Sequence, residues 1–138
     1  MELKLEKMEK QKYFGEEVLS YVWAYGPVKD VKDGWVAVEN VIKGISDVAD
    51  VKSIRVLGPD HADKEFSDVG EKYYTSVKDM DLDKMVEDGN YSADINVAVG
   101  DNYVVVHTQI TNDGVRFWFA DEEKAAKLIS TAIKKTLG

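Results

Sequence analysis

The chain has 138 residues, a formal net charge of -8 from 26 acidic and 18 basic side chains, and no cysteine. Disulfides, thiol nucleophiles and zinc or iron-sulfur sites built on cysteine are therefore excluded. So acidic a chain is also a poor candidate for direct nucleic-acid binding, which needs clustered lysine and arginine. Without a signal peptide or an apolar run of the roughly 20 residues that span a membrane, we expect one soluble, cytoplasmic domain over residues 1–138 that makes no contact with membranes.

The first 26 residues give mixed signals. Residues 2–12 alternate like a strand but also carry charge pairs typical of a helix, so both interpretations stay open, with the strand preferred over residues 2–7. Residues 13–25 are predicted as a helix, because apolar side chains recur at steps of three and four residues. These side chains are Phe14, Val18, Val22 and Tyr25. The many β-forming residues in 18–25 are a competing signal, and the Gly26-Pro27 dipeptide ends the element.

The middle of the chain is predicted to contain one helix and one strand. Apolar side chains at helical spacing predict a helix near residues 35–48. Because Asp33-Gly34 is a turn signal, residues 26–34 are predicted as a turn or short extended connection. Residues 51–57 are predicted as a strand, and the polar segment 59–71, which contains His61, as a surface loop.

The stretch that follows is predicted to hold a weakly alternating strand at 71–77 and a short helix at 81–88. Gly89 is expected to end that helix in a left-handed conformation. Asp79, Asp81 and Asp83 stand at the first, third and fifth positions of a calcium loop. However, Lys84 replaces the glycine of such a loop and Asn90 its bidentate glutamate. We therefore predict no metal site and no cofactor.

The last third of the chain gives the clearest pattern. Three alternating segments, separated by turns at Gly100 and at Asp113-Gly114, predict a three-stranded antiparallel meander over residues 94–120. An amphipathic helix is predicted over 121–137, with Asp121 as its N-cap. The expected fold is α+β: a mostly antiparallel sheet whose meander is covered by this C-terminal helix and by the helix near 35–48.

The alternation assigns each meander residue to one of two faces. The predicted core face consists of Ile95, Val97, Val99, Val104, Val106, Thr108, Ile110, Val115, Phe117 and Phe119. The opposite face is neither plainly polar nor a second core. It consists of Asn96, Ala98, Tyr103, Val105, His107, Gln109, Arg116 and Trp118.

Five residues of this second face form the predicted ligand- or partner-binding site: Tyr103, His107, Gln109, Arg116 and Trp118. Nucleophile elbows and phosphate-binding loops are missing. We therefore expect a noncatalytic adaptor or binding protein that acts through a protein surface, as a homodimer. The alternative is a small-molecule-binding domain or minor enzyme with a pocket on this face. A third possibility is that the helix predicted at 13–25 covers the face and buries Trp118.

Overall fold

The computed structural model describes residues 1–58 and 72–138. Within these ranges, seven strands form one antiparallel sheet in the order β1-β2-β7-β6-β5-β3-β4. The strands are β1 Glu2–Tyr13, β2 Glu16–Gly26, β3 Asp50–Leu57, β4 Lys72–Tyr74, β5 Ser92–Val99, β6 Asn102–Thr111 and β7 Gly114–Asp121. The predicted meander is therefore present as β5, β6 and β7, each within a few residues of its expected bounds.

The helices of the described chain are α1 Val31–Ser46, α2 Leu82–Glu87 and α3 Glu123–Leu137, with a 3-10 helix at Val77–Asp79. Both long helices pack on one face of the sheet, where Trp23 of β2 donates its Nε1 hydrogen to Ser130 Oγ of α3 at 2.9 Å. The core-face residues predicted for the meander are buried there, with Val99 only partly covered. The predicted α+β fold is thereby confirmed.

Helix α1 begins four residues earlier than predicted. Asp30 is its N-cap, accepting a hydrogen bond from the Asp33 backbone N–H at 2.8 Å. Gly34 lies inside the helix at a point of close approach to the sheet, because a Cβ there would stand 2.7 Å from Ile110 Cγ2. The turn predicted at Asp33-Gly34 is therefore wrong: the glycine allows close packing between the helix and the strand.

The helix predicted over residues 13–25 is wrong. Residues 16–26 form β2, whose alternate residues Leu19, Tyr21 and Trp23 are buried under α3. Their neighbours on the other face are also mostly apolar. Apolar side chains therefore recur at every second and at every fourth residue, which fits both a strand and a helix. The β-forming composition was the correct signal, and pairing with β7 fixes the strand.

Residues 2–13 form β1, which settles the open question in favour of a strand. It pairs with β2 along its whole length, with a bulge at Glu6. A tight turn at Phe14 and Gly15, both with positive φ, joins the two strands. Phe14 is fully exposed at the tip of this hairpin.

The middle of the chain agrees with its prediction in part. β3 and α2 lie where they were expected, and Gly89 follows α2 with a φ of 76°. Strand β4 is shorter than the predicted 71–77, and the 3-10 helix begins at Val77, the last residue of that range. The predicted loop at 59–71 lies outside the described residues.

The start of α3 differs from its prediction. Asp121 ends β7, and Glu122 takes the N-cap position without a side-chain capping hydrogen bond. Within the described chain the Asp121 Oδ2 atom is buried and has no hydrogen-bond partner. Burial raises the pKa of this carboxyl group above its ordinary value. An ionised Asp121 therefore destabilises the folded protein.

Asp121→Asn is expected to raise the melting temperature near neutral pH. Between the ordinary aspartate pKa and the raised value, the folded protein binds more protons than the unfolded chain, so stability falls as pH rises through that window. The advantage of the variant should disappear below the ordinary pKa, where aspartate is neutral in both states. Thermal melts across this pH range measure it, with exposed Asp101→Asn as the charge-matched control. An advantage that persists at low pH would contradict this cause.

Candidate functional site

The candidate site is the open face of the sheet, which we define as the face opposite α1 and α3. Strand alternation brings to it all five residues that the sequence predicted, at positions 103, 107, 109, 116 and 118. Several large side chains remain accessible there: Tyr103 is 67% exposed, Val105 40% and Trp118 36%. No helix of the described chain covers Trp118, and the segment predicted as a covering helix lies beside it as strand β2.

One row of side chains crosses the open face at right angles to the strands. Each member stands directly opposite the next across a strand pair. From β1 to β4 the row is Lys7, Val22, Trp118, His107, Asp94, Arg55 and Tyr73. We call it the central row; it changes from apolar and aromatic groups on the β2 and β7 side to charged groups on the β5 and β3 side.

The centre of this row is an ordered pair of rings. Trp118 and His107 are stacked, with ring centroids 5.4 Å apart and planes inclined by 25°. The Nδ1 atom of His107 lies 2.7 Å from Asp94 Oδ1, and Arg55 lies 3.7 Å from the other oxygen of that carboxylate. Because a carboxylate only accepts hydrogen bonds, Nδ1 carries the proton. Asp94 therefore holds the imidazole in place, and the imidazole in turn supports the indole.

The side chain of Arg116 binds Glu6. Its Nε donates to Glu6 Oε1 at 2.8 Å and its Nη2 to Oε2 at 3.4 Å, a two-point contact with the bulge of β1. The hydrogen bonds from Arg116 lower the pKa of Glu6. Gln109 stands opposite Arg116 on β6. These two residues thus share the face with Trp118, whose ring stacks on that of His107.

A shallow open groove runs along the face beside Trp118. Its walls include Lys7, Gln11, Ser20, Val22, Tyr103, Val105, His107, Trp118 and Ala120. The strand register of β6 and β7 extends from His107 opposite Trp118 to Thr111 opposite Gly114, so Tyr103 and Val105 lie beyond the last pair. The groove is open to solvent along its length, unlike the enclosed pockets that bury small ligands.

The contributions of β1 and β2 to this surface, and the position of Asp94, are not predicted from the sequence. Val22 falls in the segment predicted as a helix. Lys7 falls in the segment for which helix and strand both stay open, at the end of the part where the strand is preferred. The alternation of residues 18–25 was the signal that would have located Val22. Asp94 begins the predicted meander, but its contact with His107 depends on strand register, which the pattern alone does not give.

The described residues do not bring together any group of three or more metal-ligating side chains. Two of the three aspartates compared with a calcium loop have other partners. Asp81 caps α2 by accepting from the Lys84 N–H at 3.1 Å, and Asp83 forms an ion pair with Lys32 at 2.7 Å. His61 lies outside the described residues.

The chain matches no protein-family model, no curated protein and no solved structure. Of the helices in residues 1–58 and 72–138, none combines the length and hydrophobicity needed to cross a lipid bilayer.

Proposed function

We propose that this protein is a noncatalytic cytoplasmic binding or adaptor protein that contacts a partner protein through the open face and works as a homodimer. The observation that carries the proposal is the stacked Trp118–His107 pair, held in place on an uncovered sheet face. Tryptophan is enriched at the centres of protein interfaces, where its large ring is desolvated against the partner.

The surroundings of the ring pair support a protein partner. Val22, Val105 and Tyr103 extend the apolar surface around it, and Asp94, Arg55 and Lys7 form a charged margin. An apolar centre with a polar rim is the usual organisation of a protein interface. Because Asp94 and His107 already restrain the indole, little side-chain entropy is lost when it binds.

A second candidate function is small-molecule binding or a minor enzymatic activity. The His107–Asp94 hydrogen bond favours it, since such a pair orients an imidazole for proton transfer or for a ligand. The shape of the surface favours the protein partner, because a flat and open groove leaves much of a small ligand in water.

Trp118→Ala is expected to weaken partner binding by about 30-fold or more, which corresponds to the roughly 2 kcal/mol of an interface hot spot. Partners are first identified by affinity purification from the native cell and mass spectrometry. One partner is then purified and titrated against the wild type and against Trp118→Ala. Val36→Ala is the matched control, because Val36 is exposed to a similar extent, 39%, on the outer surface of α1. The affinity of the Val36→Ala variant for the partner should equal that of the wild type.

Equal affinity of the wild type and Trp118→Ala for every purified partner would rule out the open face as the binding surface. The second candidate makes a different prediction: a small molecule raises the wild-type melting temperature, and His107→Ala abolishes that increase.

A further inference from the structure

Strand β1 is a long edge of the sheet: it pairs with β2 on one side, and no strand of residues 1–58 and 72–138 pairs with its other side. It stands at one end of the strand order, and only Leu3 among its 12 residues is even partly buried. At the other end, β4 has only three residues. Backbone N–H and C=O groups on the outer side of an edge strand are available to pair with another strand.

The bulge at Glu6 resets the alternation of this edge strand. From the pairing with β2, Leu5 and Met8 both point to the helix-covered side of the sheet, although they are three residues apart. Lys4 and Glu9 both point to the open face. The directions in which the side chains of β1 point are therefore symmetrical about the bulge.

We propose that a second copy of this chain pairs with β1 through its own β1, antiparallel and about a two-fold axis between Glu6 and Lys7. Leu5 then stands opposite Met8 of the second copy, and Lys4 stands opposite Glu9 of the second copy. Each contact occurs twice. The inference rests on the homodimeric state proposed above, but not on partner binding by the open face.

Charge complementarity selects this register. Sliding the second copy by one residue turns its side chains to the wrong face. A slide of two residues in one direction sets Lys4 opposite Lys7 and Glu2 opposite Glu9, which are like charges. The same slide in the other direction sets Lys4 opposite Gln11 and Leu5 opposite Lys10, which loses both the ion pairs and the apolar contact.

The two kinds of contact have different roles. Leu5 and Met8 are 42% and 59% exposed in the single chain, and pairing brings four such side chains together beside the axis. Their burial and the backbone hydrogen bonds supply affinity. Exposed ion pairs add little affinity, particularly since Glu9 already contacts Lys7 at 3.0 Å, so their main effect is to fix the register. The two open faces become one continuous surface.

Charge exchange tests this register in the full-length protein. Lys4→Glu and Glu9→Lys each place like charges opposite one another at two points, and each should weaken the dimer about ten-fold or more. A mixture of the two variants pairs Glu with Lys at both points. The mixture should therefore recover the wild-type affinity as a heterodimer. Light scattering over a concentration series measures the mass, relative to 15.5 kDa for one chain.

Lys124→Glu, an exposed change of the same charge on α3, is the control for general repulsion and should leave the dimer intact. A wild type that stays monomeric throughout the series overturns the proposal, and so does a mixture that recovers no more affinity than either variant alone. Trp118→Ala should keep the wild-type mass. If it instead abolishes the dimer while the edge variants do not, the second copy sits on the open face and not on β1.

Discussion

Phe117→Ala is expected to lower the free energy of unfolding by about 3–5 kcal/mol, the usual cost of removing a large aromatic ring from a packed core. Phe117 is fully buried on the helix-covered face of β7, opposite Trp23 on one side and Thr108 on the other. The strands and helices packed around Phe117 cannot move far enough to fill the cavity that the substitution leaves. Urea unfolding followed by circular dichroism measures the change as a lower midpoint at unchanged slope.

The adjacent residue provides the control. Trp118→Ala removes a larger ring from the same strand, but this ring lies on the open face and is 36% exposed. Its loss should cost only about 1 kcal/mol, mostly the stacking on His107. If Trp118→Ala unfolds the protein while Phe117→Ala is neutral, the two faces of β7 are exchanged and the proposed binding surface is buried.

Trp35→Ala is expected to destabilise the protein by a similar amount, about 3–5 kcal/mol. Trp35 of α1 is fully buried, and its Nε1 donates to the backbone carbonyl of Asn90 at 2.9 Å. The substitution therefore opens a large cavity and leaves a buried carbonyl group without that donor. The same urea experiment measures the loss.

Two further variants distinguish the stability lost through the cavity from the stability lost with the hydrogen bond. Trp35→Phe keeps most of the apolar volume but removes the donor, so about 1–3 kcal/mol should be lost. Val36→Ala, at the next and exposed position of α1, should stay within about 0.5 kcal/mol. A Trp35→Phe variant as stable as the wild type would show that the bond to Asn90 contributes nothing.

The parts of the fold that were predicted correctly are those in which local signals agree. In the meander, the alternating segments are separated by turn residues at Gly100 and at Asp113-Gly114. The alternation and the turn residues indicate the same strand bounds. In α3, a helical apolar stripe coincides with lysines in the last turn, where the helix dipole favours them. The five candidate residues could be assigned to one face for the same reason, because the period of a strand is two.

The errors occur where local signals conflict. Residues 16–26 carry apolar side chains on both faces, so a helical and a strand interpretation both fit, and only the pairing with β7 decides between them. Gly34 has the local appearance of a turn residue. Its actual role, allowing α1 to approach Ile110, depends on a strand 76 residues further along the chain.

Periodicity and turn residues suffice to predict the α+β class and the alternation of the meander. They also place five residues on a single face: Tyr103, His107, Gln109, Arg116 and Trp118. The folded sheet is needed to show that β2 extends this face and that Arg116 binds Glu6. It is also needed to show that Trp118, His107 and Asp94 stand side by side. The reason is physical: alternation is a property of each strand, whereas contacts across strands depend on register, and register is fixed by turns, bulges and packing of the whole sheet.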